Sequence, residues 1–214
     1  MSFRYDTSQA DSRRLGLDAA ASAARRGDLV VLPTDTAYGV GTDAFNPFGI
    51  DKLLAAKGRG RDFPLPVLVG SPATLDGLTY AVSTSARRLV EAFWPGALTL
   101  VVRQAPSLAW DLGDAEGRVS LRMPLHPVAL ELLRETGPLA VTSANRTGAP
   151  VPADADEAQD QLGDAVAIYL DAGPSPAGPP SSIIDASGEV ARLLRPGALD
   201  LETLREVCPD LEAG

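Results

Sequence analysis

The chain has 214 residues, of which 45% are hydrophobic, and a single cysteine, Cys208. That composition excludes a disordered chain, an internal disulfide and any cysteine-based metal cluster, and suits one large domain or two small ones. A formal net charge of -9 excludes generic coating of nucleic acid, which needs a broad positive field, so any RNA contact has to be local.

Residues 12–26 are expected to form an N-terminal helix. The run Asp28-Leu29-Val30-Val31-Leu32, bounded by Gly27 and Pro33, has the length and β-branched content of a buried strand. Asn46-Pro47 then opens a helix, with asparagine as the cap and proline in the first turn. In that helix Ile50, Leu53, Leu54 and Lys57 fall at i, i+3, i+4 and i+7, which places a lysine on the inward stripe, and Gly58 ends it. A strand is expected over 66–70 and a helix over 83–93, where Ala86, Leu89, Val90 and Phe93 share one face and Trp94-Pro95-Gly96 stops it.

The middle of the chain is rich in strands. Residues 98–102 form an apolar run, and 118–123 alternate Val119, Leu121 and Met123 with Arg118, Ser120 and Arg122. Pro127 opens a helix carrying Val128, Leu132 and Leu133, and a short strand at 139–141 leads directly into Thr142-Ser143-Ala144-Asn145. A helix at 154–162 and a strand at 166–170 follow. The Pro- and Gly-rich stretch 172–180 reads as a mobile surface loop. Residues 182–185 and 191–195 form a closing hairpin pair, and a last helix spans 200–207. The fold class is α/β or α+β, in one domain, with a mixed sheet. No apolar stretch approaches the roughly 18 residues that cross a membrane, and residues 1–14 hold no apolar leader core, so a cytoplasmic protein is expected.

The densest chemistry lies in Lys57-Gly58-Arg59-Gly60-Arg61, three cations and two glycines in five residues of an acidic chain. Clustered cations neutralise phosphate oxygens, and glycine lets backbone approach a ligand closely. Thr34-Asp35-Thr36 and the pair Gly39-Val40-Gly41 suit either recognition of a small polar ligand or a local turn. Arg122, at a strand end, can fork onto a carboxylate or pair with a neighbour. Ser143 and Asn145 follow an apolar strand and point to a pocket floor. Arg195, before Pro196-Gly197, is a further candidate phosphate contact. Neither a dinucleotide fingerprint nor a P-loop occurs. His126 is the only histidine and sits at a helix start, so neither a Ser-His-acid triad nor a zinc site is indicated. Chemistry without these devices fits phosphoryl or nucleotidyl transfer, in which the protein positions reactants and offsets charge.

The segments Leu32 to Gly41 (LPTDTAYGVG), Lys57-Gly58-Arg59, Phe93 to Leu100 (FWPGALTL), Arg122-Met123-Pro124, Ser143-Ala144-Asn145 and Leu194-Arg195-Pro196-Gly197 occur in an order that resembles the YrdC family. Those proteins are the threonylcarbamoyl-AMP synthases of tRNA modification. The likeness covers residues 27–197. It implies a twisted YrdC-like α/β domain with a concave, positively charged cleft. The implied reaction joins L-threonine, bicarbonate and ATP into L-threonylcarbamoyl-AMP and releases pyrophosphate. A partner transferase complex then modifies the adenosine next to the anticodon of tRNA.

By position, the resemblance assigns Lys57, Arg59, Ser143, Asn145 and Arg195 to ATP and Thr36, Arg122 and Ser182 to threonine. It assigns no catalytic side chain, because the carbamylated threonine supplies its own nucleophile, and it implies magnesium on the ATP phosphates. Gly60 stands where the family usually has proline, Asp35 replaces the commoner glutamate, and Leu68 and Phe63 replace polar residues of the longer members. The competing expectations are a non-catalytic nucleotide- or RNA-binding module and a paralogue adenylating another carbamate.

Overall fold

Residues 1–176 and 178–214 are described by a computed structural model. Strand β2 (Leu29–Leu32) is buried at all four positions, which is why its sequence is apolar throughout. Its side chains alternate between two cores: Leu29 and Val31 belong to one, Val30 and Leu32 to the other. The sheet therefore has helices on both faces. Helices α1 (Ala10–Arg25) and α5 (Pro127–Thr136) cover one, with Ala20, Ala21, Ala24, Leu132 and Leu133 in the interface. Helices α2 (Pro47–Lys57), α4 (Thr84–Phe93), α6 (Ala155–Leu162) and α7 (Leu201–Val207) contribute to the other.

The remaining strands are β1 (Phe3–Asp6), β3 (Gly39–Asp43), β4 (Val67–Leu68), β5 (Leu98–Arg103), β6 (Arg118–Arg122), β7 (Leu139–Ser143), β8 (Val166–Asp171), β9 (Ser182–Asp185), β10 (Arg192–Arg195) and β11 (Glu212–Ala213). They pair with β2 in one mixed sheet of order β1-β8-β2-β3-β7-β4-β6-β5-β9-β10-β11. β2 runs antiparallel to β3 and parallel to β8, so both pairing modes occur beside one strand. The mixed α/β class and the β9–β10 hairpin match the expectation from sequence.

Three differences have local causes. Gly39 and Gly41, read above as part of a recognition turn, lie within β3. A Cβ at either position would come within 2.6 Å of Val141 side-chain atoms on the neighbouring strand β7, so crowding from Val141 dictates both glycines. The edge strands β1 and β11 carry little apolar signal and were not expected, nor was the short helix α3 (Thr74–Leu78). In the 172–180 loop, residues 172–176 and 178–180 form no helix or strand, and Ala177 lies outside the described residues. Among the described residues no helix is long and apolar enough to cross a membrane.

Helix α2 ends as its sequence indicates. Asn46 Oδ1 accepts the Gly49 N–H at 3.1 Å at its start, and Gly58 adopts φ 62° at its end. Only glycine takes that left-handed turn cheaply. The reversal leaves Lys57 inside the fold and sends Arg59 outward.

Candidate active site

A cleft of about 510 Å³ opens where β2, β3, β5, β6, β7, β9 and β10 present their ends, and Arg59, Arg122, Ser143, Ser181 and Arg195 are among the residues lining it. Strand pairing brings several of these together. Gly39 is in register with Ser143, Leu98 with Ser182, and Ile183 with Arg195. Along β7 the side chains of Leu139, Val141 and Ser143 share one face by the two-residue period, and the last two reach the cleft.

One wall is built on Lys57. The residue is only 2% exposed, and its ammonium donates to the Ser143 carbonyl at 2.6 Å, to Asn145 Oδ1 at 3.1 Å and to the Asn145 carbonyl. Ser143 Oγ donates to Asn145 Oδ1 at 2.5 Å, and Asn145 Nδ2 donates to the Ala149 carbonyl at 2.8 Å. The four sequence-nominated residues Lys57, Arg59, Ser143 and Asn145 thus converge, but unequally. Ser143 and Arg59 line the cleft, whereas Lys57 and Asn145 are buried behind it. Burial, with help from the nearby Arg59 charge, lowers the Lys57 pKa to about 8. Arg59 is steadied by Thr147 Oγ1 at 2.9 Å and by the Phe63 ring, whose centroid lies 5.7 Å from the guanidinium carbon. Arg61 points elsewhere and pairs with Asp51 and Asp111.

The opposite wall is organised around Arg122, which is 8% exposed. Nε donates to the Gly96 carbonyl at 3.0 Å, Nη1 to Thr36 Oγ1 at 2.9 Å and Nη2 to Asp35 Oδ1 at 2.7 Å. A guanidinium has five N–H groups, so two remain for a ligand. Asp35 Oδ1 also accepts the Leu125 N–H at 2.9 Å, and Thr36 Oγ1 lies 3.2 Å from Thr34 Oγ1. Burial, and the positive Arg195 nearby, push the Arg122 pKa below the usual arginine range, while Asp35 pulls it back up.

Ser182 does not reach the cleft. It is fully buried, and its hydroxyl donates to the Leu199 carbonyl at 2.6 Å and accepts the Leu199 N–H at 3.0 Å. Its neighbour Ser181 lines the cleft instead, because consecutive residues of an extended chain face opposite ways. Arg195 is held there by two hydrogen bonds to the Ser181 carbonyl, at 2.8 and 3.2 Å. Sequence reasoning also passed over Thr99 and Asp35 as site residues. Thr99 carried a usable signal, the only hydroxyl in an apolar run, and it too lines the cleft. Asp35 was left between ligand recognition and a local turn, and its ion-pair partner lies 87 residues away.

Among the described residues Lys57, Arg59 and Arg195 form no ion pair, in contrast to Arg122 with Asp35. The cleft therefore holds uncompensated positive charge in an acidic chain, along with hydroxyls that accept or donate. His126 stands at the N-cap position of α5, without a side-chain cap hydrogen bond, rather than lining the cleft; burial lowers its pKa.

Comparison with known proteins shows the family and the fold. The family model described as Telomere recombination, the Sua5/YciO/YrdC domain, matches residues 22–197. A putative threonylcarbamoyl-AMP synthase of Mycobacterium tuberculosis is 56% identical over 207 residues, 97% of this chain and 95% of that one. The threonylcarbamoyl-AMP synthase of Bacillus subtilis is 37% identical over 190 residues, which is 88% of this chain and 55% of that one. The crystal structure of P. abyssi Sua5 complexed with L-threonine superposes with a TM-score of 0.90 at 30% identity, covering 100% of this chain and 62% of that one. With the model spanning most of its length, the chain belongs to the Sua5/YciO/YrdC family.

Proposed function

We infer that the protein is an L-threonylcarbamoyladenylate synthase, which converts ATP, L-threonine and bicarbonate to L-threonylcarbamoyl-AMP, pyrophosphate and water. The observation that carries this reading is one cleft with two unlike walls. One presents cations without counter-ions, suited to a polyanion, and the other presents a buried arginine already paired with an aspartate, suited to a neutral zwitterion. The relatives named above as threonylcarbamoyl-AMP synthases support it.

In this reading Arg59, Ser143 and Arg195 face the ATP phosphates, while Lys57 and Asn145 hold Ser143 in place. The two spare N–H groups of Arg122 receive the threonine carboxylate in a fork, beside Thr36. The threonine nitrogen forms a C–N bond to the carbonate carbon, with loss of water. A carbamate oxygen then attacks the α-phosphorus, forming an O–P bond as the bond to pyrophosphate breaks. The substrate supplies the nucleophile, so the protein aligns two ligands and stabilises the charge gathering on phosphate.

Among the described residues no cluster of His, Cys, Asp and Glu could hold a metal, and Asp35 is committed to Arg122 and Leu125. Magnesium therefore enters as part of the MgATP substrate. The product would pass to a threonylcarbamoyl transferase complex acting on tRNA, with any contact to tRNA local, in the cytoplasm. The experiment is direct: purified protein with MgATP, bicarbonate and L-threonine should release pyrophosphate. Release no faster than in a threonine-free control, from folded protein, would overturn the assignment.

A further inference from the structure

The exposed turn at 146–149, just past Asn145, is tied down on both sides. The Ala149 N–H donates to the Arg146 carbonyl at 3.0 Å, and Gly148 takes φ 84°, the left-handed value a type II turn needs at its third residue. From one side Asn145 Nδ2 donates to the Ala149 carbonyl at 2.8 Å. From the other, Gln161 on α6 clamps both flanks: its Oε1 accepts the Arg146 N–H at 2.9 Å, and its Nε2 donates to the Pro150 carbonyl at 3.0 Å. Among the described residues only one side chain of this turn makes a hydrogen bond, and that is Thr147, whose Oγ1 accepts from Arg59 Nε at 2.9 Å.

The basic loop therefore docks on alternate residues of one segment. Lys57 takes Ser143 and Asn145, and Arg59 takes Thr147. Arg59 and Ser143 line the cleft, whereas neither Thr147 nor Gln161 does. Thr147 is exposed, so its side chain closes no core. With Nε occupied, the four N–H groups on Nη1 and Nη2 of Arg59 have no partner among the described residues. A free arginine loses rotamer freedom when a ligand orders it; one ordered beforehand has little left to lose.

Resting on the synthase reading, we propose that Thr147 is a positioning residue for Arg59, itself set in place by the Gln161 clamp. The hydroxyl fixes the guanidinium at Nε while the Phe63 ring lies against it, so the Nη groups are aimed at phosphate oxygens before nucleotide arrives. Thr147 thus tightens ATP without touching it. A neutral hydroxyl suits this task better than a carboxylate. An aspartate at 147 would hold Nε as well, but it would cancel the charge that the phosphates need, as Asp35 offsets Arg122 on the opposite wall.

The test is a double-mutant cycle on the intact chain, read by calorimetric binding of MgATP, which needs no turnover, with pyrophosphate release measured alongside. Thr147→Val keeps the branched shape and removes the acceptor, so it should weaken MgATP about fivefold, the scale of one net hydrogen bond. Made on Arg59→Ala, the same change should shift affinity by less than about 1.5-fold, because the residue through which it acts is gone. Thr147→Ser should restore wild-type binding. Gln161→Ala should weaken MgATP about threefold, and again only while Arg59 is present. Affinity unchanged in Thr147→Val, or lowered equally with and without Arg59, would overturn the positioning role, and so would a serine that fails to rescue. An effect of Thr147→Val with none from Gln161→Ala would overturn the clamp. A wild type that binds MgATP in this pattern yet releases no pyrophosphate with threonine and bicarbonate would overturn the synthase reading and leave the positioning role standing. Should Thr147→Val fail to fold, Gln161→Ala with and without Arg59 decides by the same criterion.

Discussion

Arg122 and Lys57 are both buried cations serving one cleft, yet their charges are handled in opposite ways. Arg122 meets a carboxylate, Asp35, at 2.7 Å, so its own charge is offset before any ligand arrives. Lys57 meets only neutral oxygens, two backbone carbonyls and an amide, and Arg59 adds a second positive charge nearby. An ion pair is rigid and demands its partner. A lysine clasped by carbonyls orders a loop while leaving its charge available to whatever enters. The difference fits the two substrates proposed: a zwitterion needs geometry without net field, whereas a polyanion needs net field.

The largest effect should come from breaking the paired wall. Arg122→Ala leaves Asp35 partly buried without its cation, and loss of one partner of such a pair costs about 3–5 kcal/mol of stability. Denaturant unfolding of the variant measures this. The double variant with Asp35→Ala should recover part of the loss, because the stranded carboxylate is gone. A loss below about 1 kcal/mol would mean the pair behaves as a surface salt bridge and the contrast between the walls is empty.

The unpaired wall should respond through ATP use. Lys57→Met strands the carbonyls of Ser143 and Asn145, and should lower kcat/KM for ATP by about two orders of magnitude, near 3 kcal/mol. Arg59→Ala removes a single half-exposed cation that faces the cleft, and about 1.5–3 kcal/mol is the upper range for one charge-assisted hydrogen bond, so its loss should be the smaller. Threonine KM should change little in either. Equal damage to threonine and ATP use would show that the walls do not act separately.

The two walls were also unequally legible in the sequence. Helical periodicity placed Lys57 on an inward stripe, and Gly58 marked where the helix stops, so the basic loop was found from local signals alone. What Lys57 touches could not be read, since Ser143 is 86 residues away and the contact exists only once β3 has paired with β7. Strand β3 was missed for a related reason. Its glycines have poor strand propensity and are there because Val141 crowds them from another strand. Ser182 was assigned to threonine by the family resemblance alone, and Pro179-Pro180 before it gives no alternation that would show Ser181, not Ser182, facing the cleft. Asp35 sits in a turn-forming context that explains an aspartate without an ion pair, so its role appears only in three dimensions.

The smallest predicted effect is the most specific to the unpaired wall. Burial lowers the Lys57 pKa from the usual 10.5 to about 8, so between these values the unfolded chain holds a proton the folded chain has released. Stability must then rise with pH across that window as far as this residue contributes, because the unfolded state binds more protons. Activity should move the other way. A neutral amine has two N–H donors and a lone pair, and it faces three acceptor oxygens, so one of them loses its donor and the Ser143–Asn145 turn loosens. The charge offered to ATP disappears with the proton. The threonine amine titrates over the same range and favours its own reaction at high pH, which masks the decline in the wild type alone. The ratio of kcat/KM for ATP in wild type to that in Lys57→Met cancels this substrate effect. That ratio should fall severalfold from pH 7 to 9.5, with a midpoint near 8, while the wild type gains thermal stability relative to the variant. A ratio flat with pH would mean Lys57 keeps its proton throughout, and the carbonyl clasp would then stabilise its charge as firmly as Asp35 does that of Arg122.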